Sequence, residues 1–222
     1  MISENIYKIS QGIPENVKLV AVSKFHPVSE LMEAYEAGQR VFGESQVQEL
    51  KRKMEVMPKD IEWHFIGHLQ TNKVKYIVPG VALIHAVDSP RLLNTINKYA
   101  EKENTVMDCL LQIHIATEES KFGFLPDELL DFLKSKEWEL LKNIRIKGLM
   151  CMASNTDDTT LIRQEFNFAK TFFNKVKTDF FRNENSFNEL SMGMSDDYTI
   201  AIEEGSTIIR VGSKIFGERI YT

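Results

Sequence analysis

Residues 19–29 read LVAVSKFHPVS, and this stretch decides the fold. Its first half alternates Val20 and Val22 with other apolar residues, the composition of a parallel strand packed on both faces. Lys24 stands at the strand's exit, where Pro27 biases His26 toward an extended backbone, and Ser29, Met32 and Tyr35 then begin a helical period. The exit turn, SKFHPVS, contains no glycine. An open doubly wound sheet carries a glycine-rich nucleotide turn at this place, so the first βα unit argues for the other architecture that alternates strands and helices.

Outward from there, seven more apolar runs follow: RVFGES from 40, WHFIG from 63, LIHAVD from 83, MDCLLQIHI from 107, IRIKGLMCM from 144, ELSMG from 189 and STIIRVG from 206. Helical patterns lie between most of them, at Leu31 to Ala37, Arg91 to Lys102, Asp127 to Lys136 and Ile162 to Phe181. Eight right-handed βα units predict an α/β chain closed into a (β/α)8 TIM barrel, as one domain over residues 1–222. In that fold the strand ends form one rim, which gathers Lys24, Ser45, His68, Asp88, His114, Met152, Ser191 and Arg210.

Bulk properties narrow the function. The 222 residues are 43% hydrophobic with a net charge of −5, and the pI is near 5.6. That balance gives a substantial core and lacks the basic footprint of a nucleic-acid binder. The basic run KRK at 51–53 is flanked by Glu49 and Glu55 on one predicted helix and reads as a solvated face. Cys109 and Cys151 sit in apolar runs with no CxxC spacing, the usage of small buried hydrophobes. The opening MISENIYKISQGIP has neither a basic n-region nor an apolar h-region, and no run is long enough to span a bilayer, so the expectation is a soluble cytoplasmic protein with no membrane partner; the lack of an exposed apolar stripe adds the expectation of a monomer. His26, His64, His85 and His114 are scattered singly, a distribution that predicts no metal site.

The densest functional signal is residues 190–221, LSMGMSDDYTIAIEEGSTIIRVGSKIFGERIY. Gly193 permits a sharp turn, Ser191 and Ser195 offer hydroxyls, and Asp196 and Asp197 are placed to cap the helix that follows. Gly212 and Ser213 offer backbone N–H groups after the eighth strand, where this fold commonly holds phosphate. A strand-end lysine able to attack an aldehyde, together with a phosphate cradle, describes a ligand bearing both groups: pyridoxal 5'-phosphate (PLP).

The stretches AVSKFHP, EAGQRVFGESQVQE, WHFIGHLQTNK, KGLMCM, LSMGMSDDY and GSTIIRVGSKIFGER resemble the motifs of the pyridoxal-phosphate homeostasis proteins, single-domain relatives of the alanine racemase N-terminal barrel. The resemblance spans nearly the whole chain. It implies that Lys24 holds PLP as a Schiff base, that Ser191, Ser195 and Gly212 contact the phosphate, with Ser213 beside them, and that Arg210 faces the pyridine nitrogen. An arginine there disfavours ring protonation and weakens carbanion stabilisation. The implied role is a carrier that holds PLP and hands it on, with apo PLP-dependent enzymes as transient partners. Two positions depart from the family pattern: Ser45 in GES replaces a common asparagine, and His68 in GHLQTNK replaces a common proline. The alternative is an amino-acid racemase, which needs an acid/base on each face of the bound substrate. Its second base comes from an added β domain for which a chain ending at Thr222 leaves no room, with Tyr198 or Tyr221 the remaining substitutes. A Schiff-base aldolase would place its lysine at the end of the sixth strand, where Lys147 lies well short. In the loop ATEESKFGF, Lys121 is a candidate second amine at the mouth of the site.

Overall fold

A computed structural model of the chain describes residues 1–116 and 122–217; Lys121 and Tyr221 lie outside the described residues. Eight parallel strands close into a barrel in chain order. They are β1 Lys18–Val22, β2 Val41–Glu44, β3 Glu62–Phe65, β4 Leu83–Val87, β5 Met107–Gln112, β6 Ile144–Met150, β7 Glu189–Ser191 and β8 Ile208–Val211. The last strand pairs with the first, Lys18 opposite Ile208 and Val20 opposite Arg210. The expected (β/α)8 barrel is therefore the one observed, and each expected strand is present.

The helices are α1 Ile2–Gln11, α2 Val28–Glu36, α3 Val47–Val56, α4 Pro90–Lys102, α5 Pro126–Ser135, α6 Thr159–Phe180, α7 Tyr198–Glu203 and α8 Ser213–Phe216. Several begin up to a turn before their apolar period because local chemistry starts them early. Pro27 precedes α2, Ser89 Oγ accepts the Leu92 N–H at 3.3 Å ahead of α4, and Asp158 accepts the N–H groups of Thr160 and Leu161 ahead of α6. Between β3 and β4 a short 3-10 helix, Thr71–Tyr76, stands where the other units have an α-helix. The segment before β1 is itself a helix, with Ile2, Ile6 and Ile9 buried along one face. It packs against α2 and the single-turn α8, and Asn5 Nδ2 donates to the Ile215 carbonyl at 3.0 Å. The extra helix thus covers the place where α8 is too short to complete the outer ring.

Two apolar layers result. The larger fills the space between strands and helices, and a smaller one inside the barrel joins Val20, Leu83, Leu110, Met150 and Ile208. Because strand side chains alternate, residues two positions from these, such as His85 and Arg210, also face inward. Closure between β6 and β7 depends on Gly148. Its φ is +152°, and a Cβ there would lie 1.7 Å from the Glu189 carbonyl oxygen. Among the described residues no helix is long and apolar enough to cross a membrane.

Candidate functional site

Lys24 is half-buried two residues beyond β1, and the backbone on either side of it is held by charged groups. Ser23 Oγ donates to Glu44 Oε1 at 2.6 Å, at the end of β2. Lys53 Nζ donates to the Ser23 carbonyl at 2.7 Å, to Glu44 Oε1 at 2.6 Å and to Glu49 Oε1 at 2.7 Å. Glu49 Oε1 also accepts the Phe25 N–H at 2.7 Å, and Phe25 has a left-handed φ of +68°. Few non-glycine residues adopt that conformation unless contacts hold them in it. The run at 51–53 is therefore not a uniformly solvated face: Lys53 is 4% exposed, whereas Lys51 and Arg52 lie in water. Burial pushes the Glu44 carboxyl above its ordinary value, opposed by the attraction of Lys53.

Arg210 enters the same end of the barrel from β8, almost fully buried. Nη1 donates to Ser191 Oγ at 2.6 Å and Nη2 to the Cys151 carbonyl at 2.9 Å. Burial is the largest influence on the guanidinium and pushes its pKa down from the ordinary value. Ser191, the last residue of β7, is wholly buried, with its hydroxyl held between Arg210 and His85 Nδ1, 2.9 Å away. A hydroxyl so placed lies beneath the rim, engaged by side chains.

The loops after β7 and β8 meet. Gly193 turns at φ +95°, and a Cβ there would come within 2.5 Å of the Ala201 side chain. Asp197 accepts the Met194 N–H and so closes the turn before α7. Ser195 Oγ accepts the Gly212 N–H at 3.2 Å, and a Cβ on Gly212 would lie 3.1 Å from the Val22 carbonyl, at the exit of β1. Ser213, the first residue of α8, is exposed, and its N–H has no acceptor among the described residues, as expected of a first-turn amide. His26 joins this region to the β1 exit, stacking on Phe216 at 4.9 Å and bonding Glu30 Oε2 at 2.7 Å. Lys24, Arg210, Ser195, Gly212 and Ser213 are thus brought to one sector of the rim, where β7, β8 and β1 adjoin.

The other rim residues form separate groups. His68 Nδ1 lies 2.9 Å from Asp88 Oδ2, and its ring stacks on Phe122 at 3.9 Å. Ser45 is half-buried against Gly67, whose backbone approaches so closely that a Cβ would sit 2.4 Å from the Ser45 carbonyl. Met152 lines a cavity of about 310 Å³ at the ends of β6 and β7, with Ser154, Met194 and Asp196. A larger cavity, about 870 Å³ beside Trp138 and Arg182, is at the opposite end of the barrel. No cluster of possible metal ligands occurs among the described residues. Two of the histidines are not scattered: His64 and His85 bond each other at 2.9 Å inside the barrel. Sequence reading passed over Lys53 and His85. For Lys53 a signal existed, since it falls with Val47 and Leu50 on the buried face of α3.

Comparison with known proteins agrees with the fold. The family model described as alanine racemase, N-terminal domain, matches residues 1–220. The pyridoxal phosphate homeostasis protein of Aquifex aeolicus is 39% identical over 213 residues, covering 95% of this chain and 91% of the relative. That of Schizosaccharomyces pombe is 40% identical over 227 residues, covering 99% and 90%. The structure of PipY from Synechococcus elongatus with PLP bound superposes with a TM-score of 0.87 at 34% identity, covering 98% of this chain and 100% of PipY. Alanine racemase from Bartonella henselae, at 16% identity and a TM-score of 0.74, shares the fold over 98% of this chain and 58% of its own.

Proposed function

This chain belongs to the alanine racemase N-terminal domain family, and on that premise we propose that it is a pyridoxal 5'-phosphate homeostasis protein, which holds PLP as a Schiff base on Lys24 and supplies or buffers it. The observation that carries the reading is the meeting of an amine, a buried guanidinium and a loop pair with a hydroxyl and a free N–H where β7, β8 and β1 adjoin. The relatives named for PLP homeostasis, at 39% and 40% identity, support it.

The residues present fit the cofactor. When bound, PLP supplies an aldehyde that condenses with a primary amine and a pyridine ring that withdraws electrons. Lys24 is the amine, on a backbone that Lys53 and Glu49 hold from both sides. Ser195, Gly212 and Ser213 bind the phosphate, the N–H of Ser213 having no competing acceptor among the described residues. Arg210 would face the ring nitrogen and, as a cation, would disfavour its protonation. Ser191 acts from behind Arg210, since its hydroxyl is engaged there. A site of this charge favours retention of the cofactor over carbanion chemistry, and apo PLP-dependent enzymes are the recipients.

Mixing the purified protein with PLP is expected to produce visible absorbance. Borohydride reduction followed by peptide mapping should then place the adduct on Lys24, and Lys24→Ala should lose the absorbance while keeping its circular dichroism. An adduct mainly on another lysine overturns the assignment.

A further inference from the structure

Below the rim, a continuous series of polar side chains runs through the barrel interior to Arg210. At the opposite opening Lys18 Nζ and His64 Nε2 each lie 2.8 Å from Glu62 Oε1. His64 Nδ1 is 2.9 Å from His85 Nε2, and His85 Nδ1 is 2.9 Å from Ser191 Oγ, which accepts from Arg210. His64, His85 and Ser191 are wholly buried, whereas Lys18 and Glu62 are 37% and 41% exposed at their side chains. An apolar cluster of Val20, Leu83, Leu110, Met150 and Ile208 shares the barrel interior with them. Apolar side chains in place of the histidines would carry no desolvation cost, so filling space does not account for them.

The two ends determine where each hydrogen lies. A guanidinium only donates and a carboxylate only accepts. Ser191 Oγ therefore receives a hydrogen from Arg210 and keeps its own to give, while His64 must carry its proton on Nε2 to meet Glu62. Burial pushes both imidazoles below their ordinary pKa and holds them neutral. His64 Nδ1 is then bare and accepts from His85 Nε2, and His85 Nδ1 is bare and accepts the Ser191 hydroxyl. Every donor along the line points away from the rim.

We propose that His85, with His64 behind it, is a positioning residue for the ligand site: it draws the Ser191 hydrogen down the barrel so that the oxygen lone pair faces Arg210 and fixes the guanidinium. Together with the Cys151 carbonyl, this leaves the remaining guanidinium hydrogens for the ligand. The inference rests on the preceding reading that Arg210 faces the ring of PLP, but its first test needs no cofactor.

In wild-type protein labelled with 15N-histidine, NMR at pH 7 is expected to show His64 and His85 as neutral rings protonated at Nε2. A proton on His85 Nδ1 overturns the proposal, whether or not PLP binds, whereas correct tautomers in a protein indifferent to PLP would refute only the functional reading. The second test compares His85→Leu, Ser191→Ala and the double variant for PLP affinity and for the wavelength of the bound chromophore. Each single change is expected to weaken binding roughly tenfold, one hydrogen bond's worth, and to shift the band, with the double variant no weaker than the worse single. Independent, multiplying losses, or none at all, overturn the positioning role. Should His85→Leu fail to fold, the tautomer measurement still decides the matter.

Discussion

Lys53 is buried between the carboxylates of Glu44 and Glu49, and Glu44 Oε2 has no hydrogen-bond partner among the described residues. A buried carboxylate in that condition depends on its one cation. Removing one member of a buried pair typically costs about 3 to 5 kcal/mol, because the other is left charged in a poor solvent. Lys53→Met is therefore expected to lower the unfolding free energy in urea by about that amount, and adding Glu44→Gln to recover a large part of it. A loss within the scatter of surface substitutions would show that the pair does not hold this corner of the barrel. At the same scale, the phosphate grip can be measured by comparing vitamers. Hydrogen bonds to a charged group contribute about 1.5 to 3 kcal/mol each. Losing two predicts that pyridoxal without phosphate binds at least roughly a hundredfold more weakly than PLP. Equal affinities would remove Ser195, Gly212 and Ser213 from the site.

Among the elements, the β6–β7 junction is the most constrained by a single position. Gly148→Ala would drive a methyl into the Glu189 carbonyl at a φ that L-residues avoid, so we expect it to abolish soluble expression or sharply lower the melting temperature. Gly38→Ala, at φ +96° with nothing within 4 Å, has only the backbone penalty of about 1 to 2 kcal/mol. Comparable melting temperatures for the two variants would contradict the close approach. The strands themselves were legible because a parallel barrel buries both faces of each and writes them as short apolar runs. Strand order alone put Lys24 and Arg210 on the rim, whereas Ser195 and Gly212 were singled out by the turn chemistry after β7 and β8 and by the family resemblance. The helix Ile2–Gln11 carries a signal of its own, Ile2, Ile6 and Ile9 at i, i+4 and i+7, but its partners, α2 and α8, belong to other parts of the chain. The burial of Lys53 was legible in its helical spacing from Val47 and Leu50, but its role and that of His85 were not: their deciding contacts, to Ser23 and Ser191, lie 30 and 106 positions away.

For the molecule as a whole, the neutral histidine pair inside the barrel couples stability to acid. Both rings have folded pKa values below the ordinary 6.5, so as pH falls through 6.5 the unfolded chain takes up protons that the folded chain refuses. Stability is lost in that direction. A second loss follows between pH 4.5 and about 2, where hydrogen bonding to His64 and Lys18 has depressed Glu62. Calorimetric melting temperatures are expected to decline from pH 7 to pH 5, ahead of the Glu62 titration, and a flat profile over that interval would mean the imidazoles are not held neutral. The pairing of β8 with β1 has a different consequence, for biosynthesis. The strand that leads to Lys24 is made well before β8, its neighbour on one side. A nascent chain can form β1 and β2 early, but non-local closure waits for β8. A premature stop before β8 therefore yields a polypeptide that keeps Lys24 and has no seat for a ligand.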